Sequence, residues 1–301
     1  MPLSEDLRNE LAAIAPRRRC DRLAELSGLF HTAGRLHLRG RGEVAVHLDL
    51  ASIAVARRAF TLLRQLGVET EIRTYRRRAF GRETRYQLHV EGEGRALQVL
   101  SQSGVLSAGL APLERPPRRV VARACCRSAY LRGALLGAGT LSGPSSPHLE
   151  IRCSSRAGAE FVASLADFSV QERRGHCVAY GKGVDAVAGA LAAAGGSDTA
   201  LAFQERAVVG ATKARANRLA NADHANLVRT SRAAQAQIKA VRRLERRGGL
   251  DDLAPELREI ARLRVRHPSL SLGELARRCK PPATKSSAQR RLAKLVRLAG
   301  L

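Results

Sequence analysis

The feature that most constrains the fold is a nonapeptide that occurs twice. Residues 131–139 read LRGALLGAG and residues 26–34 read LSGLFHTAG. Superposing Leu26 on Leu131 sets Gly28 on Gly133, Leu29 on Ala134, Phe30 on Leu135, Ala33 on Ala138, Gly34 on Gly139 and Leu36 on Leu141. An internal repeat of this length dictates architecture, because each copy must be one structural unit and the copies must cover each other.

The repeat continues past the motif. Residues 44–50 alternate as a half-buried strand does, residues 54–66 carry apolar side chains at helical spacing, and 68–73 and 86–90 read as further strands. In the second copy 148–153 is an expected strand, 157–168 a helix, and 170–173 with 176–180 a hairpin about Gly175. Apolar helices at 96–103 and 184–194 close the two copies. Each half is therefore expected to run α, β, β, α, β, β, α, and the fold class is α+β, two such units pairing about a pseudo-twofold axis. Gly133 and Gly137 share one helix face and would let a second helix approach closely. The alternative is a pair of interior glycines tolerated at about 1 kcal/mol each. Residues 1–15 form an amphipathic helix candidate ahead of the first copy.

These nonapeptides resemble the LAGLIDADG helix of the homing endonucleases. In that family two such helices cross at the domain centre, and acidic residues at their sixth and eighth positions hold divalent metal over the scissile phosphates. Here those positions are His31 and Ala33 in the first copy, and Leu136 and Ala138 in the second. A two-metal clamp for phosphodiester hydrolysis needs carboxylate oxygens. The resemblance therefore implies the scaffold without its chemistry: no catalytic residue, no enzyme.

Charge points to a partner. Formal net charge is +25, and from Arg206 onward 23 Lys and Arg face 7 Asp and Glu. A field of that sign recruits polyanions, of which nucleic acid is the abundant soluble one. The basic third has no leucine or aromatic face for a membrane surface. No signal peptide or membrane-length apolar run is visible, so a cytoplasmic, nucleoid-associated protein is expected. Six cysteines (Cys20, Cys125, Cys126, Cys153, Cys177, Cys279) include no C-x-x-C pair, and adjacent Cys125 and Cys126 make poor joint ligands for one tetrahedral ion. They read as reduced, buried thiols; neither a metal site nor a cofactor is expected.

The expected division is 1–113 and 114–204 for the two halves, 205–249 for a helical basic linker and 250–301 for a helix-turn-helix domain. The proline-rich stretch 112–119 connects the halves. Within the linker, Asn217, Arg218, Asn221 and Asn226 suggest two helices meeting near 221–226, since Asn and Asp favour caps and turns, and Gly248-Gly249 ends the segment. Beyond it, residues 255–266 form an expected helix stopped by His267-Pro268. Ser271 and Glu274 then make a capping box for a second helix. Pro281-Pro282 stops that helix, and a third starts near Lys285 with Leu292, Leu295, Val296 and Ala299 facing a core. Three short helices ending on a basic one make a helix-turn-helix pattern. Lys285, Ser286, Ser287, Gln289 and Arg290 would lie nearest the base edges, Gln suiting adenine and Arg guanine. Arg277, Arg278, Lys280, Arg291 and Lys294 would meet phosphates; the plainer alternative is a solvated basic face on a three-helix bundle.

Over nearly its full length the chain is similar to the WhiA family of bacterial sporulation and cell-division regulators. The matching stretches are 7–15 (LRNELAAIA), 126–139 (CRSAYLRGALLGAG), 217–223 with Asn226, Gln237-Ile238, 263–275 (LRVRHPSLSLGEL), and Lys285-Ser286 with Arg291, Leu292 and Lys294. Where the family usually shows Gly, Val, Asn and His, this chain has Ser287, Ala288, Gln289 and Arg290. The resemblance implies a regulator that binds double-stranded DNA in septation or chromosome segregation, in some lineages beside a WhiB-type iron-sulfur partner. Two other classes stay open: a residual metal-dependent nuclease using Glu25, Asp49 or Glu150, and an RNA-binding basic protein.

Overall fold

A computed structural model of the chain describes residues 2–39, 43–76, 84–91 and 94–300. Helix α1 (Pro2–Ala13) precedes the first copy, and Met1 lies outside the described residues. The first copy is α2 (Arg19–Ala33), β1 (Gly34–Arg39), β2 (Glu43–Leu50), α3 (Ile53–Gln65), β3 (Glu71–Arg76), β4 (Thr84–Glu91) and α4 (Gly94–Gln102). The second is α5 (Ala124–Ala138), β5 (Gly139–Leu141), β6 (His148–Cys153), α6 (Arg156–Ala166), β7 (Ser169–Arg173), β8 (His176–Lys182) and α7 (Val184–Ala194). The expected element order thus appears twice.

Both sheets are four-stranded and antiparallel with one topology, β1-β2-β4-β3 and β5-β6-β8-β7. In each, the glycine ending the motif begins the first strand, Gly34 pairing with Leu48 and Gly139 with Ile151. Alternation decides which side chains turn inward: Val46, Leu48 and Leu50 of β2, with Leu88 and Val90 of β4, are buried. They pack under α3, whose Val55, Ala56, Ala59, Leu62 and Leu63 form one buried stripe.

The motif helices α2 and α5 lie at the centre, and their glycines set how near they come. A Cβ built on Gly133 would sit 2.0 Å from the Glu25 carbonyl oxygen; one on Gly28 would sit 2.2 Å from that of Tyr130. One on Gly137 would lie 2.2 Å from Thr32 Oγ1. Real Cβ atoms essentially never come so near another heavy atom, so these positions are close-packing sites rather than tolerated interior glycines.

After α7 comes α8 (Ser197–Arg246), one helix of 50 residues. The expectation of two helices meeting near 221–226 is corrected here. Asn217, Asn221 and Asn226 each cost a helix only a fraction of a kcal/mol, and the Ala, Arg, Gln and Leu around them restore it. Asn226 does not cap anything; its Oδ1 accepts from Arg229 Nη2 at 2.5 Å on the outer face. Gly248, at φ 70°, ends the helix with Gly249 N–H bonded to the Leu244 carbonyl at 3.1 Å.

The chain forms two compact units, Met1–Ala211 and Thr212–Leu301, the division falling within α8. In the second, α9 (Pro255–Arg266), α10 (Leu272–Arg278) and α11 (Lys285–Leu298) bury Leu257, Ile260, Leu275, Ala276, Leu292 and Leu295. This core also takes Ala240, Val241 and Leu244 from the end of α8.

Candidate nucleic-acid interface

The second unit positions its basic helix through a capping box legible in the sequence and through further hydrogen bonds that are not. Ser271 Oγ accepts from the Glu274 N–H at 3.3 Å while the Glu274 carboxylate accepts from the Ser271 N–H at 2.8 Å. This completes the expected capping box, and those bonds hold the Glu274 carboxyl below its usual range. At the start of α11, Thr284 Oγ1 accepts from Ser287 N–H at 3.2 Å. Arg264 carried no signal: it is buried on α9 and donates from Nη1 to the Leu270 carbonyl at 2.7 Å, tying the turn between α9 and α10. Burial lowers its pKa. The segment between α10 and α11 contains a cis Lys280–Pro281 bond, and the Lys280 N–H donates to Glu259 at 2.7 Å.

On this frame the predicted residues divide into groups. Ser286, Gln289, Arg290 and Lys294 form one exposed stripe along α11, with exposed Lys285 at its first turn. Ala288, Leu292, Leu295 and Ala299 hold the opposite side in the core, and Val296 packs against it. Ser287 is half-buried beside its cap. Arg291 is half-buried and its Nη2 is 2.7 Å from Glu256 Oε2, an ion pair between α11 and α9. Arg277, Arg278 and Lys280 are exposed, Arg278 lying 3.0 Å from the His267 ring. Partly desolvated and beside Arg278 and Arg266, His267 has its pKa lowered.

In the first unit, a cleft of about 830 Å³ opens where α2 and α5 end. Its floor includes Ala33 and Ala138, two of the positions where the nuclease pattern has acids, and its walls carry Arg8, Arg35, Arg85 and Arg152. The acids considered as substitutes are occupied. Asp49 accepts from Arg85 Nε at 3.0 Å. Glu150 accepts from both Arg173 terminal nitrogens at 3.2 and 2.5 Å, which holds its carboxyl below the usual range. Glu25 is fully buried, far up α2, and takes Arg58 (2.7 and 3.0 Å) and Arg132 (3.0 and 2.8 Å) together. His31, at the sixth motif position, is buried with Nδ1 3.1 Å from the Tyr130 hydroxyl, and burial lowers its pKa to about 4. A neutral imidazole and an alanine leave the first copy no carboxylate there.

The cysteines behave differently from expectation at one place. Cys153, Cys177 and Cys279 are buried free thiols. Cys20, Cys125 and Cys126, however, are brought together with Asp21 so that one donor atom of each lies within 4.8 Å of the others. Spacing along the chain does not show this, because half the donors come from the other copy; the signal that could have found it is the repeat frame, which sets Cys20 on Cys125 and Asp21 on Cys126.

The comparisons with known proteins agree with this architecture. Residues 19–106 match the model of the WhiA N-terminal LAGLIDADG-like domain, 127–213 that of the WhiA LAGLIDADG-like domain, and 216–299 that of the WhiA C-terminal HTH domain. The chain is 34% identical to the probable cell division protein WhiA of Symbiobacterium thermophilum, over 99% of this chain and 98% of that protein. It is 33% identical to the one from Heliobacterium modesticaldum, over 99% and 96%. The fold is similar to full-length DUF199/WhiA from Thermatoga maritima, with a TM-score of 0.55 at 22% identity, over 98% of this chain and 97% of that one. With its two LAGLIDADG-like copies followed by a helix-turn-helix domain, and with relatives matched end to end, the chain belongs to the WhiA family.

Proposed function

We propose that this protein is a sequence-specific double-stranded DNA-binding regulator acting in cell division, sporulation septation and chromosome segregation, and that it is nucleoid-associated. The observation that carries the reading is the exposed stripe of α11. Ser286, Gln289, Arg290 and Lys294 stand clear of the core, with Lys285 at the helix start. A helix presented this way enters the major groove by its first turns, so Gln289 and Arg290 read bases while Lys294, Arg277, Arg278 and Lys280 meet phosphates. The relatives' name, cell division protein, supports the cellular role. We keep 1–113 and 114–204 as the two halves, 205–249 as the basic linker and 250–301 as the DNA-binding domain. The first two act as an accessory surface without nuclease activity, since Asp49, Glu150 and Glu25 are all held by arginines. A WhiB-type iron-sulfur regulator is the protein partner to test there by co-purification. Among the described residues no helix is long and apolar enough to cross a membrane.

Selection of bound fragments from sheared genomic DNA by the full chain yields the operator. Arg290→Ala is then expected to weaken operator binding by about 10- to 100-fold while random duplex is little affected, and Lys294→Ala to weaken both alike. Equal losses for the two would remove Arg290 as a base reader. Magnesium-dependent nicking would restore the nuclease reading, and displacement of DNA by structured RNA at lower concentration would favour the RNA-binding one.

A further inference from the structure

We propose that Cys20, Asp21, Cys125 and Cys126 form a binding site for one divalent metal ion of the zinc class, joining the N-terminal ends of α2 and α5. The repeat itself builds the site. The frame that sets Leu26 on Leu131 also sets Cys20 on Cys125 and Asp21 on Cys126, so each copy supplies two adjacent donors from its first helical turn. The pseudo-twofold pairing of α2 with α5 then brings the two pairs face to face. Cys126 is buried, and the other three are half-buried at the edge of the helix pair.

The spacing suits tetrahedral coordination. With Zn–S near ~2.3 Å and Zn–O near ~2.0 Å, a tetrahedron has S···S edges of about 3.8 Å and S···O edges of about 3.5 Å. Cys125 Sγ and Cys126 Sγ are 3.9 Å apart. Asp21 Oδ1 is 3.5 Å from Cys20 Sγ and 3.6 Å from Cys126 Sγ. The whole set spans no more than 4.8 Å. That is the footprint of a single ion; a cluster of several irons holds its thiolates farther apart. Three soft thiolates and one carboxylate select zinc over the oxygen-seeking magnesium or calcium.

Adjacency of Cys125 and Cys126 does not prevent this, because the first turn of α5 already directs both sulfurs to one side. Loading removes a proton from each of the three thiols, and the ion takes three thiolates and the carboxylate, leaving the site net doubly negative. Two helix N-termini and Arg18, whose Nη1 lies 3.9 Å from Cys125 Sγ, offset that charge. The site lies at the opposite end of α2 and α5 from the cleft where the nuclease pattern has its metal-binding acids, so it is a structural staple between the copies and not a remnant of cleavage chemistry.

The test is to purify the full chain reduced and without chelator and measure metal by mass spectrometry. About one zinc per chain is expected. After stripping with a chelator, Co²⁺ is expected to restore one equivalent, with the intense ligand-field and thiolate charge-transfer absorption of a tetrahedral site. Cys20→Ser and Asp21→Asn should each lose metal on desalting, while Cys177→Ser keeps it. Should a variant fail to fold, alkylation mapping of the unaltered chain decides instead: chelator should expose Cys20 and Cys125, and zinc should protect them again. Absence of bound zinc with colourless Co²⁺ titration, retention of full metal by Cys20→Ser, or a disulfide among these cysteines in the freshly isolated chain would overturn the proposal.

Discussion

Glu25 and His31 are both buried on α2, where it crosses α5. Glu25 neutralises one of two buried guanidinium groups, Arg58 and Arg132, and accepts four hydrogen bonds from them. Replacing it with Ala leaves two desolvated cations facing each other; a loss of about 3–5 kcal/mol in denaturant-measured stability is expected. Met at Arg58 or Arg132 should cost less, since one guanidinium remains paired. His31 makes stability depend on pH. Burial lowers its pKa to about 4 in the folded chain, against about 6.5 unfolded. Its contribution is whole above the unfolded value and is withdrawn as pH falls through that window, because the unfolded chain takes the proton first; the total is ~3 kcal/mol. Urea unfolding between pH 7 and pH 4 should therefore show a slope that His31→Asn flattens, and an unchanged slope would mean the imidazole is not held neutral.

At the scale of elements, the helix pair and α8 show what side chains can and cannot negotiate. A methyl group at Gly28 or Gly133 meets carbonyl oxygen of the opposing helix, and backbone has no rotamer to retreat into. Gly133→Ala is expected to cost about 3 kcal/mol or more, at or beyond the upper end for overpacking, whereas Gly189→Ala, with open space around its Cβ, should be neutral or slightly stabilising. Thermal unfolding of both variants checks this. The start of α8 is capped from far away: the Glu10 carboxylate on α1 accepts the N–H groups of Asp198 and Thr199, each at 2.9 Å. Glu10→Ala should cost about 1–2 kcal/mol by freeing two terminal N–H groups and removing a negative charge from a helix N-terminus.

For the whole molecule, charge distribution is the governing quantity. The 23 basic residues that face 7 acidic ones from Arg206 onward lie on mostly exposed surface of α8 and the second unit. DNA affinity is therefore expected to fall about 10³-fold between 50 and 200 mM salt if roughly six phosphates are engaged, with the slope lessened by about one when Lys294 becomes Ala. A fluorescence-anisotropy salt series reads both. A flat salt response would place the basic surface elsewhere than on nucleic acid.

The duplicated nonapeptide, strand alternation and cap residues were enough to read two α+β copies, and the capping box at Ser271 with the stop at Gly248 placed the last helices. These signals are local: period, turn chemistry and hydrogen-bond reach operate within a few residues, so they survive in a one-dimensional string. The same locality misled at Asn221 and Asn226, where a preference for caps yielded to a long run of helix formers. What lies across the chain was decided only by tertiary packing. The crossing of α2 and α5 occupies Glu25 with Arg132, 107 positions away, and gathers Cys20 with Cys125. Folding likewise commits Arg291 to Glu256 and sends Glu10 to the start of α8. Residue identity states which bonds a side chain can make; which partner it meets follows from how closely two backbones approach, and here that distance is set by the glycines.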